Sequence, residues 1–243
     1  MNSTWAADRT IMLRMTSKRV KELVDNMRPP VVVRWRKSFL EDQLNGTATA
    51  AEKLQLVFRQ LAAFTAGTRI TTLDLCLHVA IYTPSIYTYS HNHPCSIKGK
   101  DVEMLAGVLA QCPALIHLNL GGNKVGAEGA EKLAGVLAQC TALAHLDLSY
   151  NVIQDAGAES LAGVLPQCPA LAHLNLSSNG IGTRGAESLA GVLVQCPALA
   201  HLDLRENNIG DAGTESLAGV LAQCRALHSN STRMGSDQTG QRV

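Results

Sequence analysis

The chain has 243 residues and a formal net charge of +1; hydrophobic residues make up 46% of it and aromatic residues only 4%. The core is therefore built from leucine, alanine and valine, and no strong overall field attracts nucleic acid. No apolar run approaches the roughly 18 residues of a membrane span. The first 25 residues carry eight charged side chains, which excludes a secretory signal. We expect a cytoplasmic protein with reduced cysteines.

Residues 1–48 are predicted to form a basic, partly helical segment. Residues 1–70 hold 12 Lys and Arg against 6 Asp and Glu, whereas residues 101–227 hold 5 against 12. Short helices are expected at 16–28 and at 33–44. The excess Lys and Arg side chains of residues 1–70 either face solvent or dock on an acidic surface, of a partner or of this chain itself.

Residues 49–75 are predicted to form a degenerate first helix and strand. Thr49 and Glu52 have the spacing of a capping box, and apolar residues follow at helical intervals. Residues 70–75 then carry isoleucine and leucine at the spacing of a short strand. The segment is expected to begin the repeat array that follows.

Residues 76–100 form an irregular insertion by prediction. The strand leucines before and after it are 45 residues apart, 17 more than the repeat period, and the interval holds three of the four tyrosines. His91, His93 and Cys95 suggest a metal site, but their spacing matches no common zinc pattern and a fourth ligand is not evident. We expect a loop without metal or cofactor; non-coding sequence retained in a gene model is the alternative.

Residues 101–227 repeat with a period of 28 residues. Five cysteines mark this period: Cys112, Cys140, Cys168, Cys196 and Cys224. Each unit starts with the pattern L-x-x-L-x-L, whose last two leucines point to one face of a strand. An asparagine follows, which favours a bend, and then a helix with one apolar face. The cysteines follow the helix and are expected to be small buried apolar groups.

Two local signals refine the helices of these units. Asp155, Thr183 and Asp211 lie where N-cap residues are expected. Pro166 lies in the last turn of its helix and removes one backbone donor, so that helix is predicted to end or bend early.

The pattern L-x-x-L-x-L-x-x-N-x-L within 28 residues resembles the leucine-rich repeat in its ribonuclease-inhibitor-type form. The repeat domains of NOD-like receptors and of Ran GTPase-activating proteins share that form. The resemblance implies an α/β leucine-rich repeat solenoid, with a curved parallel sheet on the concave face and helices on the convex face. Before it lies the short, mostly helical N-terminal segment.

Residues 228–243 are polar and are predicted to form a disordered tail. The last repeat then lacks the polar cap that solenoids need. We expect its apolar end to be exposed. Further repeats or another chain would cover it, and self-association through this uncapped repeat is one such arrangement.

Side chains that flank the inward leucines are expected to form ladders across the concave face, with neighbours about 4.8 Å apart. The predicted partner-binding residues are His117, Asn119, His145, Asp147, His173, Asn175, His201, Asp203 and Arg205. Four stacked imidazoles suggest a response to pH or a metal. The alternative is that duplication copied a tolerated surface residue.

The predicted function is a non-catalytic protein–protein interaction scaffold that binds another protein on the concave face. The resemblance suggests sensing or regulation related to that of NOD-like receptors, and a Ran-type GTPase-activating regulator is the alternative. We expect neither nucleic acid nor membrane as a partner. An enzyme is not expected, because no nucleophile–base pair, acid pair or phosphate-binding loop stands out.

Overall fold

Each 28-residue unit folds into one short strand, a bend and one helix in the computed structural model, which describes residues 31–34, 55, 58–59, 61–62, 70–75 and 96–221. The strands are β1 Val31–Arg34, β2 Ile70–Asp74, β3 His117–Asn119, β4 His145–Asp147, β5 His173–Asn175 and β6 His201–Asp203. The helices are α1 Val102–Leu109, α2 Gly126–Leu137, α3 Gln154–Val164, α4 Thr183–Leu193 and α5 Gly210–Leu221.

The six strands form one open parallel sheet in sequence order, from β1 to β6. From β3 to β6 each residue is paired with the residue 28 positions later, so that identical positions of successive repeats face each other. Helices α1 to α5 pack side by side against their neighbours in the same order. This arrangement confirms the predicted α/β solenoid; its curvature stays a prediction.

Leucine columns fill the space between the sheet and the helices. The middle residue of each strand from β3 to β5 is a leucine with at most 2% of its surface exposed. Helix residues such as Leu133, Leu161 and Leu189 are buried against them. Because alternate strand residues point to opposite faces, the residues on either side of each strand leucine face away from the helices.

The bend asparagines (Asn123, Asn151, Asn179 and Asn207) connect each repeat to the one before it. The amide nitrogen of Asn179 donates to the carbonyls of Leu176 and Ser177 in its own repeat and of Leu148 in the preceding one, at 2.9–3.1 Å. Its Oδ1 accepts from the backbone N–H groups of Asn151 and Ile153 at 3.0 and 3.3 Å. The predicted bend is confirmed, and its hydrogen bonds also hold adjacent repeats together.

Replacing Asn179 with leucine should lower the free energy of unfolding by about 3 kcal/mol or more, because several buried backbone groups lose their partner. Asn207→Leu is the matched control, since Asn207 makes the same amide contacts in a partly exposed setting. Urea unfolding should show the smaller loss for Asn207→Leu. Equal losses would contradict the role of burial in the asparagine contacts.

Two glycines of α3 differ in what surrounds them. A Cβ on Gly157 would lie 2.5 Å from Ile153 Cγ2 and 3.0 Å from Ala130 Cβ on α2, whereas a Cβ on Gly163 would meet nothing within 4 Å. Gly157 thus permits the close approach of α2 and α3. Gly163 has no such packing reason.

Opposite effects are therefore expected for the same substitution at these two positions. Gly157→Ala should destabilise the fold by about 1–3 kcal/mol through overpacking, and Gly163→Ala should stabilise it by about 0.5–1 kcal/mol through helix propensity. Thermal unfolding of the two variants provides the measurement. A stabilised Gly157→Ala variant would show that the helices can separate without cost.

The helix starts correct one prediction. Asp155 and Thr183 lie inside the first turns of α3 and α4, and Asp211 is the second residue of α5, so none of them is an N-cap. Gln154 and Gly210, the first residues of α3 and α5, adopt positive φ.

The carboxylate of Asp155 caps the next repeat's helix instead of its own. Its Oδ1 accepts from the N–H groups of Gly182 and Gly185 at 2.6 and 2.9 Å. Thr183 likewise reaches forward and donates its hydroxyl to the carbonyl of Ile209. These side chains therefore add polar contacts between repeats.

The early end predicted at Pro166 is confirmed, since α3 stops at Val164 and a 3-10 turn, Leu165–Gln167, follows.

The predicted helix at 33–44 is wrong at its start, because residues 33 and 34 belong to β1. Three consecutive valines favour a strand through their β-branched side chains, a signal that the apolar spacing of 33–44 obscured. The other residues of that helix and the helix at 16–28 lie outside the described residues. Further along the chain, β2 Ile70–Asp74 lies where a strand was expected.

The repeat resumes earlier than expected after the insertion. Ile97 is fully buried and donates its N–H to Asn123 Oδ1 at 2.9 Å. The backbones of Lys98 and Lys124 form an isolated parallel β-bridge. Residues 96–100 therefore occupy the bend of a repeat and do not belong to the irregular segment. His91, His93 and Cys95 lie outside the described residues.

The strand leucines of the last described repeat are buried. Leu199, Leu202 and Leu204 keep at most 6% of their surface exposed. Residues 222–227, where the exposed apolar end was predicted, lie outside the described residues, so that exposure stays a prediction. The tail at 228–243 lies outside the described residues.

Candidate functional site

The histidine ladder (His117, His145, His173 and His201) lies on the face of the sheet opposite the helices. Each histidine is the first residue of its strand, and the in-phase pairing of β3 to β6 sets the four rings side by side. Neighbouring ring centroids are 4.2 Å apart, with planes 12–15° from parallel. The rings therefore stack on one another and present their edges to solvent.

The Asx ladder (Asn119, Asp147, Asn175 and Asp203) runs beside it, two residues further along each strand. Each side chain accepts a hydrogen bond from the backbone N–H two positions later, at 2.9–3.0 Å. Asn175 also donates its amide to Asp147 Oδ2 at 3.2 Å. The ladder thus closes the end of every strand, which explains why the position accepts only Asn or Asp in these repeats.

Arg205 lies two residues after β6, beside the end of the Asx ladder. Its guanidinium contacts both carboxylate oxygens of Asp203 and forms an ion pair with it. This hydrogen bond raises the pKa of Arg205, with the charge of Asp203 as a second cause. The corresponding positions in the preceding repeats are Gly121, Ser149 and Ser177, so Arg205 places a cation where the other repeats have none.

All nine residues predicted for partner binding line one groove of about 550 Å³, which we call the concave groove. They are His117, Asn119, His145, Asp147, His173, Asn175, His201, Asp203 and Arg205. Within residues 96–221 and the shorter described segments, no group of three His, Cys, Asp or Glu side chains is arranged to hold a metal ion. The groove presents imidazole, amide and carboxylate groups and one guanidinium to solvent.

Three imidazoles of the groove have lowered pKa values. Partial burial lowers the pKa of His117, His145 and His173, and the charges of neighbouring histidines lower it further. The sequence alone left this direction open, because nearby aspartates oppose the repulsion. In the folded protein burial and repulsion outweigh them.

Stability should fall as the pH drops below about 6.5, the ordinary imidazole value. The folded-state pKa values are depressed, so in this window the unfolded chain binds more protons than the folded chain. The double variant His145→Gln/His173→Gln should lose less stability than the wild type between about pH 7.5 and about pH 5.5. Urea midpoints at both pH values measure this, with His228→Gln as the control outside the ladder. A slope unchanged in the double variant would contradict the assignment.

The cysteine column is chemically quiet. Cys112, Cys140 and Cys168 are buried, as predicted, and Cys196 is half-buried, whereas Cys224 lies outside the described residues. Burial raises the pKa of Cys112 and of Cys168 to about 11. These thiols remain protonated near neutral pH, where a thiol is a poor nucleophile and metal ligand.

One polar cluster beside the groove was not predicted from the sequence. Glu206 Oε2 accepts from the hydroxyls of Tyr150 and Ser178 at 3.2 and 2.6 Å, and all three residues adopt positive φ. They occupy one position in successive repeats, which holds Gly122 in the first of them. Their variation among otherwise similar repeats was the available signal.

Comparison with known proteins identifies the repeats. Residues 111–134, 139–162, 167–190 and 195–218 each match the family model described as "Leucine Rich repeat". Among solved structures, the chain is similar to "Leiomodin-1 Actin-Binding Site 2 (ABS2)", with 18% identity, a TM-score of 0.48, and coverage of 58% of this chain and 80% of that one. No curated protein matches the chain. In the part of the chain that the structure describes, no helix has the length and apolarity to cross a membrane.

Proposed function

We propose that this leucine-rich repeat protein is a non-catalytic scaffold that binds a protein partner across the concave groove. The observation that carries the proposal is that four repeats bring nine polar side chains into one continuous groove. Solenoid proteins characteristically offer such extended surfaces to partners. The in-phase strands repeat the same hydrogen-bonding groups at regular intervals along it.

The chemistry of the groove favours a polar interface. Imidazole edges, amides and carboxylates line it together with Arg205, and neither tyrosine nor tryptophan is among its lining residues. Large aromatic anchors usually dominate tight interfaces. Hydrogen bonds and charge complementarity would therefore select the partner.

The same geometry argues against a hydrolytic relay in the groove. The hydroxyl of Ser149 donates to Asp147 Oδ1 at 2.7 Å. In the next repeat the hydroxyl of Ser177 makes the same contact with the amide oxygen of Asn175, which cannot act as a base. Because the contact recurs where no base is available, it supports a structural role for these serines at the strand ends.

The finer assignments rest on the repeat form. A relation to NOD-like receptors is supported by the 28-residue period alone. The Ran-type alternative has the same support, and no partner-contact residues for it can be assigned in the groove. Cytoplasmic location and self-association through the last repeat remain predictions, as does the lack of nucleic-acid and membrane partners.

Site-specific photocrosslinking tests the proposal. A benzophenone amino acid at residue 173 should crosslink one partner from lysate, and the same label at residue 187 on α4 should not. An excess of unlabelled wild-type chain should compete for that partner. The variant His145→Ala/His201→Ala, which removes two of the ring edges, should compete at least about tenfold less well, which corresponds to about 1.4 kcal/mol of lost binding energy.

A variant of the helical side provides the matched control. Glu131 and Glu187 are exposed on α2 and α4, so Glu131→Ala/Glu187→Ala truncates the same number of polar side chains without touching the groove. It should compete like the wild type. Capture from residue 187, or equal competition by the groove variant, would place the binding surface elsewhere.

A further inference from the structure

We propose that the concave groove is an acid-activated docking surface for a carboxylate-rich α-helix of a partner protein. The inference deepens the proposed function and rests on it. It starts from the stacking of four titratable rings at 4.2 Å intervals on an open surface. A column of four imidazoles can change the charge of the whole groove between neutral and mildly acidic pH.

The other charges around the ladder are few. Asp203 is neutralised by its ion pair with Arg205, which leaves Asp147 as the remaining charged group among the groove's lining residues. On β2, Thr72 is paired with His117, and Asp74 is paired with Asn119 at the groove's edge. Glu206 and Tyr150 lie beside Arg205 at the opposite end. Helices α1 to α5 lie behind the sheet, so none of their described residues lines the groove with the rings.

Protonation reverses the sign of this surface. With neutral imidazoles the groove carries the negative charge of Asp147, and each protonated ring adds a positive charge. Burial lowers the pKa of His145 and His173, and the repulsion between stacked imidazolium groups lowers it further. Carboxylates placed along the ring edges would relieve this repulsion and raise the pKa of the histidines. By linkage, acid must then strengthen the binding of a carboxylate ligand.

The spacing of the ladder selects the form of the ligand. Three centroid spacings of 4.2 Å carry the rings over about 13 Å, the length of about nine residues of α-helix. One helical turn rises about 5.4 Å, somewhat more than the 4.2 Å between ring centroids. Three glutamates one turn apart span about 11 Å, so on a helix lying across the strands all three would lie along the four-ring ladder.

Fluorescence anisotropy of the full chain with a designed peptide tests the inference. The probe is a labelled alanine-based helix with glutamate at one position per turn, compared with lysine and glutamine versions. Glutamate stays ionised at about pH 5.5. Affinity for the glutamate helix should rise at least about tenfold between about pH 7.5 and about pH 5.5, as expected for each net proton taken up per pH unit. The lysine helix should bind more weakly at the lower pH.

Variants separate the ladder from general acid effects. His145→Gln/His173→Gln should lose most of the rise in affinity, whereas His228→Gln should keep it. Asp147→Asn should bind the glutamate helix more tightly at both pH values. Circular dichroism at each pH establishes that every variant is folded when binding is measured.

Failure of the inference is distinguishable from failure of the scaffold function. No binding of the glutamate helix at the lower pH, or a rise in affinity retained by His145→Gln/His173→Gln, overturns acid activation. If residue 173 still crosslinks its partner at about pH 7.5, the scaffold function stands in that case. If the glutamate helix binds as expected but residue 173 captures no partner, the groove chemistry is supported and the scaffold function is overturned.

Discussion

The buried asparagine side chain at each bend is the interaction on which the rest of the solenoid depends. Asn151 and Asn179 satisfy backbone donors and acceptors in two repeats at once, in a place that water does not reach. Leaving a buried polar group unpaired destabilises the fold by more than a typical hydrogen bond stabilises it. Adjacent repeats are thus constrained to a single relative position, with every strand in phase with its neighbours.

This constraint governs both faces of the molecule. On the helical side, in-phase stacking places Gly157 opposite Ala130, so that helices α2 and α3 approach closely. On the other side it places the histidines of β3 to β6 face to face and produces the concave groove. The groove therefore follows from the hydrogen bonds that the buried asparagines make in the interior. Its surface residues do not need to attract one another to be aligned, and the histidines remain stacked although their charged forms repel.

Much of this was predictable from the sequence, because the repeat period specifies which residues share a column. The strand and helix of each repeat, the bend asparagines and all nine groove residues follow from that period. The direction in which the side chains of Asp155 and Thr183 reach did not, since a cap within one helix and a contact to the next repeat use the same residue types. The strand at Val31–Arg34 was missed because the apolar spacing of 33–44 suggested a helix, although three consecutive valines favour a strand. The cluster at Glu206 was missed because the residues of its column differ from repeat to repeat.

The return of the pattern at Ile97 shows how such a protein tolerates interruption. Leu75 and Ile97 both bond to the side chain of Asn123, although 21 residues separate them in the sequence. Extra chain inserted between a strand and its bend leaves the stack intact, provided that both of its ends return to the same asparagine. The repeat array thus tolerates an insertion between a strand and its bend, whereas an insertion within a strand would shift the pairing of that strand with its neighbours. New contact loops can be added at this point without disturbing the alignment of the groove.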